Sequence, residues 1–193
     1  SQNVKKRLII TYNDLRAKEI YEDAKLYDRE VYFYPAKDII FFSADIRGNA
    51  IVRERVKILQ KLLEDAPITV IATIDGGMDK VLPLSCLKEA CIHIKNGNFL
   101  DLAQFEKQLV QAGYERQAQV EAAGEFAVRG GIIDIFPLTE EVPVRIELWG
   151  DEIDSIRSFD VASQRSIENL EEIQIYPASE FILEERIKEK GLA

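Results

Sequence analysis

The segment GEFAVRGGIIDIFP, residues 124–137, reads as two short strands joined by a double glycine. Side chains alternate across a strand, so Glu125 and Arg129 share the face that does not hold Phe126 and Val128. A few residues on, VRIELWG (144–150) repeats the pattern, with Val144, Ile146 and Leu148 alternating against Arg145, Glu147 and Trp149. The only tryptophan of the chain therefore falls on the polar face of a strand, beside an arginine. Trp and Arg are the residue types most enriched among interface hot spots, because each joins a large contact area to a polar handle. The alternation thus marks Arg129, Arg145 and Trp149 as one partner-facing sheet surface, with Arg129 expected on a strand next to that of Arg145. The competing expectation is that the preceding helix covers Trp149, or that a bulge near Gly150 reverses the parity.

Working outward, EIDSIRSF and EIQIYP supply further strands, and CIHIKNGNF suggests a strand and turn before them. Asp101 is placed to cap a helix through LAQFEKQLVQAG, with Gly113 as its stop. Close-set strands after one helix imply an antiparallel α+β domain.

Upstream of Leu84 the character is different. RLIITY (7–12) is a β-rich run, and Asn13 or Asp14 offers an N-cap to a helix that places Leu15, Ile20 and Leu26 on one side. EVYFYP and DIIFF are aromatic-rich strand candidates, and Asn49 is expected to cap a helix whose stripe includes Ile51, Arg55, Val56, Leu59 and Leu63. ITVIATI (68–74) is a continuous apolar run of the kind buried on both faces of a parallel sheet. Strand and helix in alternation imply a wound α/β sheet, so the fold class is α/β plus α+β, with the boundary between Pro83 and Cys91.

The 193 residues are 47% hydrophobic, enough for one domain or two small ones. No apolar run approaches the ~20 residues of a membrane span, and no secretory signal opens the sequence. Two cysteines make no disulfide framework, and a cytoplasmic setting with no membrane partner is expected. The formal charge of −9 disfavours nucleic acid, whose unspecific affinity comes from Lys and Arg neutralising phosphates. Starting at Ser1 and stopping inside the helical charge pattern FILEERIKEKGLA, the sequence looks cut from something longer.

An α/β sheet invites a search for a phosphate loop, yet no glycine is followed by lysine and no G-x-G-x-x-G spacing occurs. Gly76-Gly77 reads as an ordinary turn rather than an anion nest. Cys86, Cys91 and His93 contain two ligand types that suit zinc but lack a fourth ligand nearby. With a single histidine and no nucleophile set beside it, acyl transfer has no support.

AGEFAVRGGIIDIFP, followed by PVRIELWGDEIDSIRSFDVASQRSIE and IYPASEF, closely resembles the bacterial transcription-repair coupling factors. The excision-repair helicase UvrB shares the frame, but SFDVASQRSIE is more similar to the coupling factors. The resemblance is strongest over 113–181 and collinear, though weaker, over 8–83. It implies an N-terminal UvrB-homology module: a partial, degenerate RecA-like α/β domain at 1–88, an inserted antiparallel domain like UvrB domain 2 at 89–178, and the start of a return segment at 179–193. It implies that the inserted domain binds the repair protein UvrA, and that the family's contact positions fall on Arg129, Arg145 and Trp149. The parent is expected to be an ATP-driven translocase whose motor domains alone use ATP and magnesium, so no cofactor is expected in this segment. The long hairpin with which UvrB probes damaged DNA has only a short connection, Phe42 to Asn49, in its place, and upstream of Val4 a first strand and helix are missing.

The expectation is a non-catalytic docking module that recruits UvrA and also meets other domains of its parent, which cover the docking face until the motor engages. The rivals are a UvrB-like ATP-dependent helicase fragment, disfavoured by the absent phosphate-loop lysine, and a DNA-binding module, disfavoured by charge and by the lack of stacking aromatics in series.

Overall fold

A computed structural model of the chain describes residues 6–36, 45–78 and 84–178, with 45–49 described by backbone alone. Between Ser85 and Cys86 the chain divides into two compact units. The DIIFF strand, the hairpin-replacing connection before Asp45 and the return segment beyond 178 lie outside the described residues.

The first unit runs β1 (Lys6–Thr11), α1 (Asp14–Lys25), β2 (Val31–Tyr34), α2 (Asp45–Leu63), β3 (Ile68–Thr73) and a short α3 (Ile74–Met78). Its three strands are parallel, in the order β1-β3-β2. The apolar run ITVIATI supplies the central strand, and every residue of β3 is buried, as coverage of both faces requires. Asn13 caps α1, its Oδ1 accepting from the Arg16 N–H at 2.9 Å. The buried side of α1 differs from the expected one. Ala17 packs with Ile20, Tyr21 and Ala24 against Val31 and Ile71, while Leu15 and Leu26 are exposed. Small and aromatic side chains at i, i+4 and i+7 lie against the sheet with Ile20, which is partly buried as expected, whereas Leu15 and Leu26 stand off it. Asn49 is not a cap, because α2 already begins at Asp45.

Arg55 sits within the apolar stripe of α2 and is fully buried. Its Nη1 donates to the Pro35 carbonyl at 2.8 Å and its guanidinium lies 4.3 Å from the Tyr34 ring centre, so this charge serves the core. Gly76 closes the turn from β3 into α3, donating to Thr73 Oγ1 at 3.1 Å, and a Cβ there would stand 3.3 Å from the Ala36 nitrogen.

After α4 (Leu84–Ala90), the second unit contains β4 (Ile92–Lys95), α5 (Leu102–Gln111), β5 (Glu115–Arg116), β6 (Glu125–Arg129), β7 (Ile132–Ile135), β8 (Val144–Trp149), β9 (Glu152–Phe159), β10 (Ser166–Leu170) and β11 (Glu172–Ile175). Six strands form one sheet in the order β10-β9-β8-β7-β6-β5, antiparallel except for the short β5–β6 pair. The EIQIYP strand does not join it. As β11 it pairs with β4 in a separate two-stranded ladder. Asp101 caps α5 through Gln104 N at 3.0 Å, and Gly113, at φ 89°, lets the chain leave the helix.

Alternation now has a physical destination. Phe126, Ile133, Val144 and Ile146 point inward with Phe105 and Leu109 of α5, and Ile94, Ile173 and Ile175 of the small ladder close the same core. Each such side chain contributes roughly 1.5–3 kcal/mol on leaving water. None of the described helices is long and apolar enough to cross a membrane.

Candidate protein-docking surface

The opposite face of the six-stranded sheet carries the three residues singled out by alternation, and register shows how they are arranged. Asp134 on β7 stands directly opposite Arg145 on β8, which stands opposite Arg157 on β9. One step along, Arg129 faces Ile132, then Glu147 and Ser155. Arg129 and Arg145 are therefore not on neighbouring strands as expected: β7 lies between them. The Gly130-Gly131 turn, with Gly130 at φ 62°, folds β7 straight back onto β6 and inserts it there.

That intervening strand supplies the residue that unites the two arginines. Asp134 is 1% exposed, and its carboxylate accepts from Arg129 Nη2 at 2.5 Å, Arg145 Nε at 2.6 Å and Arg145 Nη2 at 2.9 Å. The Arg145 pKa is raised by its hydrogen bond to Asp134, so the group stays charged. Arg145 Nη2 also donates to Gln164 Oε1 at 3.0 Å, and the guanidinium lies over the Phe159 ring at 4.6 Å. With so many partners, the Arg145 side chain is only 18% exposed, whereas that of Arg129 is 47% exposed. The two arginines thus differ: one is clamped, the other reaches into solvent.

Trp149 is 82% exposed at the end of β8. A bulge does occur here, but it falls on β9: Glu147 pairs with Ser155 while Leu148 pairs with Ile153, so Asp154 is the extra residue. The parity of β8 survives, and Leu148 still packs on the core while Trp149 faces out. Trp149 is not immediately beside Arg145, since four steps along the strand separate them by roughly 13 Å and the Glu147–Arg157 ion pair occupies the interval. Glu147 also accepts from Ser155 Oγ at 3.1 Å.

Sequence reasoning passed over three residues of this face. Phe99, 81% exposed, bridges Glu152, which itself pairs with Trp149, so two exposed aromatics flank one glutamate. No period announces Phe99, because it lies in a turn after β4 and not in a regular strand. Asp134 was visible in the alternation of GIIDIF, but only the register reveals its partners. Gln164 stands in the β9–β10 loop, 19 positions from the arginine that it contacts.

Glu125, the other charge of the opening segment, has a local task. Its Oε2 accepts from the Glu121 and Ala122 N–H groups at 2.8 and 2.9 Å, tying down the loop before β6. Ala127, between Glu125 and Arg129 on this face, is buried with Val120 and Phe136, so the face is apolar at one end. Among the described residues no group of three or more His, Cys, Asp and Glu is placed to hold a metal. His93 pairs with Glu172 Oε2 at 3.2 Å, and burial pushes the Cys91 thiol pKa up, away from thiolate chemistry.

Comparison with known proteins agrees with this architecture. Residues 92–181 match the UvrB interaction domain family. The chain is 40% identical over 188 residues to the transcription-repair-coupling factor of Bacillus subtilis (strain 168), covering 96% of this chain and 16% of that protein. It is 37% identical over 185 residues to the transcription-repair-coupling factor of Staphylococcus epidermidis (strain ATCC 35984), covering 95% and 16%. The Staphylococcus aureus (strain Mu50) transcription-repair-coupling factor is 36% identical over 189 residues, covering 97% and 16%. The chain spans about a sixth of the length of these relatives. Residues 92–181 are therefore a UvrB interaction domain, and the chain is similar along nearly its whole length to one part of the transcription-repair-coupling factors.

Proposed function

We propose that this chain is a non-catalytic docking module which recruits UvrA to transcription-coupled repair through the outer face of its six-stranded sheet. Its first unit is then the degenerate RecA-like portion of a UvrB-homology module, a scaffold with no ATP or magnesium of its own. The observation that carries the reading is the combination on one face of a solvent-exposed tryptophan and a half-exposed arginine, on a sheet whose other face is fully engaged in a core. A rigid sheet holds such groups at fixed spacing, which lowers the ordering cost of association. Trp149 and Phe99 supply apolar contact area, and Arg129 with the Nη1 edge of Arg145 meets carboxylates on the partner. The face also suits an internal partner in a longer chain, which would mask it until release.

The helicase and DNA-binding alternatives gain nothing from the geometry. Gly76-Gly77 lies in a strand-to-helix turn closed by Thr73. The best-placed arginines are already paired with Asp134 and not arrayed for phosphates. Titrating purified UvrA into the 193-residue protein and its Trp149→Ala variant tests the proposal. We expect affinity to fall at least tenfold, about 1.4 kcal/mol, without a change in thermal midpoint. Val110→Ala, which removes an exposed aliphatic on α5, is expected to bind like the parent. Equal binding by all three proteins would refute the proposed face.

A further inference from the structure

The loop that joins β9 to β10, Asp160-Val161-Ala162-Ser163-Gln164-Arg165, is held by its own hydrogen bonds. Asp160 Oδ1 accepts from Ser163 N at 2.8 Å and from Ser163 Oγ at 2.7 Å; Gln164 N donates to the Asp160 carbonyl at 2.8 Å; Asp160 N donates to the Arg165 carbonyl at 2.9 Å. These bonds bring Gln164 to φ 58°, the one left-handed residue other than glycine among the described residues. Glycine takes that conformation without steric cost, so loop closure alone does not call for a glutamine side chain.

Both ends of the side-chain amide are used. Nε2 donates to the Val161 carbonyl at 2.8 Å, which fixes the amide's orientation, and Oε1 accepts from Arg145 Nη2 at 3.0 Å. Asp134 takes Arg145 Nε and the other Nη2 hydrogen from across the strand pair, and the Phe159 ring lies against the guanidinium plane. Three of the five guanidinium N–H groups are thus assigned, and no partner among the described residues takes the two on Nη1. A guanidinium that is fixed in rotation and has one edge left over meets a partner carboxylate with little further loss of side-chain freedom.

We propose that Gln164 is a positioning residue for docking, which acts by orienting Arg145 so that its Nη1 edge is presented to an acidic group of the partner. This rests on the docking function proposed above. It ties the DVASQR loop, otherwise a simple strand connection, to recognition at the sheet face.

The Gln164→Gly variant of the 193-residue protein keeps the backbone closure of the loop, because glycine suits φ 58° and the Asp160 bonds remain, while it removes the amide with its bonds to Arg145 and the Val161 carbonyl. We expect an unchanged or higher thermal midpoint together with a roughly threefold to tenfold loss of UvrA affinity. Because Gln164 works through Arg145, the same change in an Arg145→Lys background, where Asp134 keeps a cation, is expected to cost no further affinity. Nitrogen-detected NMR of the free protein gives an independent readout: separate Arg145 Nη resonances in the parent, averaged by rotation in Gln164→Gly. If Gln164→Gly binds as the parent does, or if its resonances stay separate, Gln164 does not position Arg145. Equal losses in both backgrounds would overturn the proposal too. If Arg145→Lys and Trp149→Ala both bind as the parent does, the docking function itself fails.

Discussion

Because Asp134 is buried between two guanidinium groups, removing one or the other has different consequences for folding. Arg145 makes two of the three bonds and is mostly buried, so Arg145→Ala leaves a carboxylate with one partner in a place that water hardly reaches. Breaking a buried pair costs about 3–5 kcal/mol, and the surviving Arg129 bond brings the expected loss toward the lower end. Arg129 is nearly half exposed, so solvent screens its pairing and Arg129→Ala is expected to cost about 1 kcal/mol or less. Thermal melts of the two variants check this: Arg145→Ala drops by several degrees and Arg129→Ala hardly moves. Alternation alone treats both arginines as free surface groups, which would leave both midpoints unchanged. Face and residue type were legible in VRIELWG, whereas burial and pairing depend on which strand lies next door, and period-two patterning carries no information about that.

At the scale of elements, Tyr114 shows how the helix and the ladder are locked together. It follows the Gly113 stop of α5, and its hydroxyl donates to the Tyr176 carbonyl at 2.7 Å and accepts from Leu138 N at 3.3 Å. Asp101, the helix run and Gly113 were readable locally, because capping is a matter of adjacent residues. The tyrosine latch was not, since its partners lie 24 and 62 positions away. Nor was the separation of β11 from the main sheet, as a strand's sequence gives its faces but not its neighbour. Burial drives the Tyr114 pKa well above its ordinary 10.0. The folded value is the raised one, so this stabilisation is complete below about pH 10 and is lost as pH rises, because the unfolded chain ionises first. Urea midpoints between about pH 8 and about pH 11 should therefore fall, and fall less steeply in Tyr114→Phe. Tyr32, raised to about 12 by burial and by Glu30, contributes the same trend in both proteins, so the difference isolates Tyr114.

On the scale of the whole molecule, each unit has its own hydrophobic cluster, and the candidate surface lies wholly in the second. A protein that begins at Cys86 is accordingly expected to fold cooperatively and to keep whatever UvrA affinity the full 193 residues have, as the proposed docking role requires. Circular dichroism melting and titration would reveal a dependence on the first unit as lost cooperativity or weakened binding. The apolar run ITVIATI is buried throughout as the central strand of the parallel order β1-β3-β2, and burial on both faces is why the α/β class was legible from it. If UvrA docks on this face, Trp149 becomes buried, and as the chain's single tryptophan it can be observed directly. Fluorotryptophan incorporated at Trp149 gives one fluorine resonance, to be followed by NMR during titration with unlabelled UvrA. With Trp149 in the interface, that resonance is expected to shift and broaden in step with complex formation, and to lose its response to solvent isotope. A complex that forms while the resonance keeps its free position and its solvent response would contradict docking on this face.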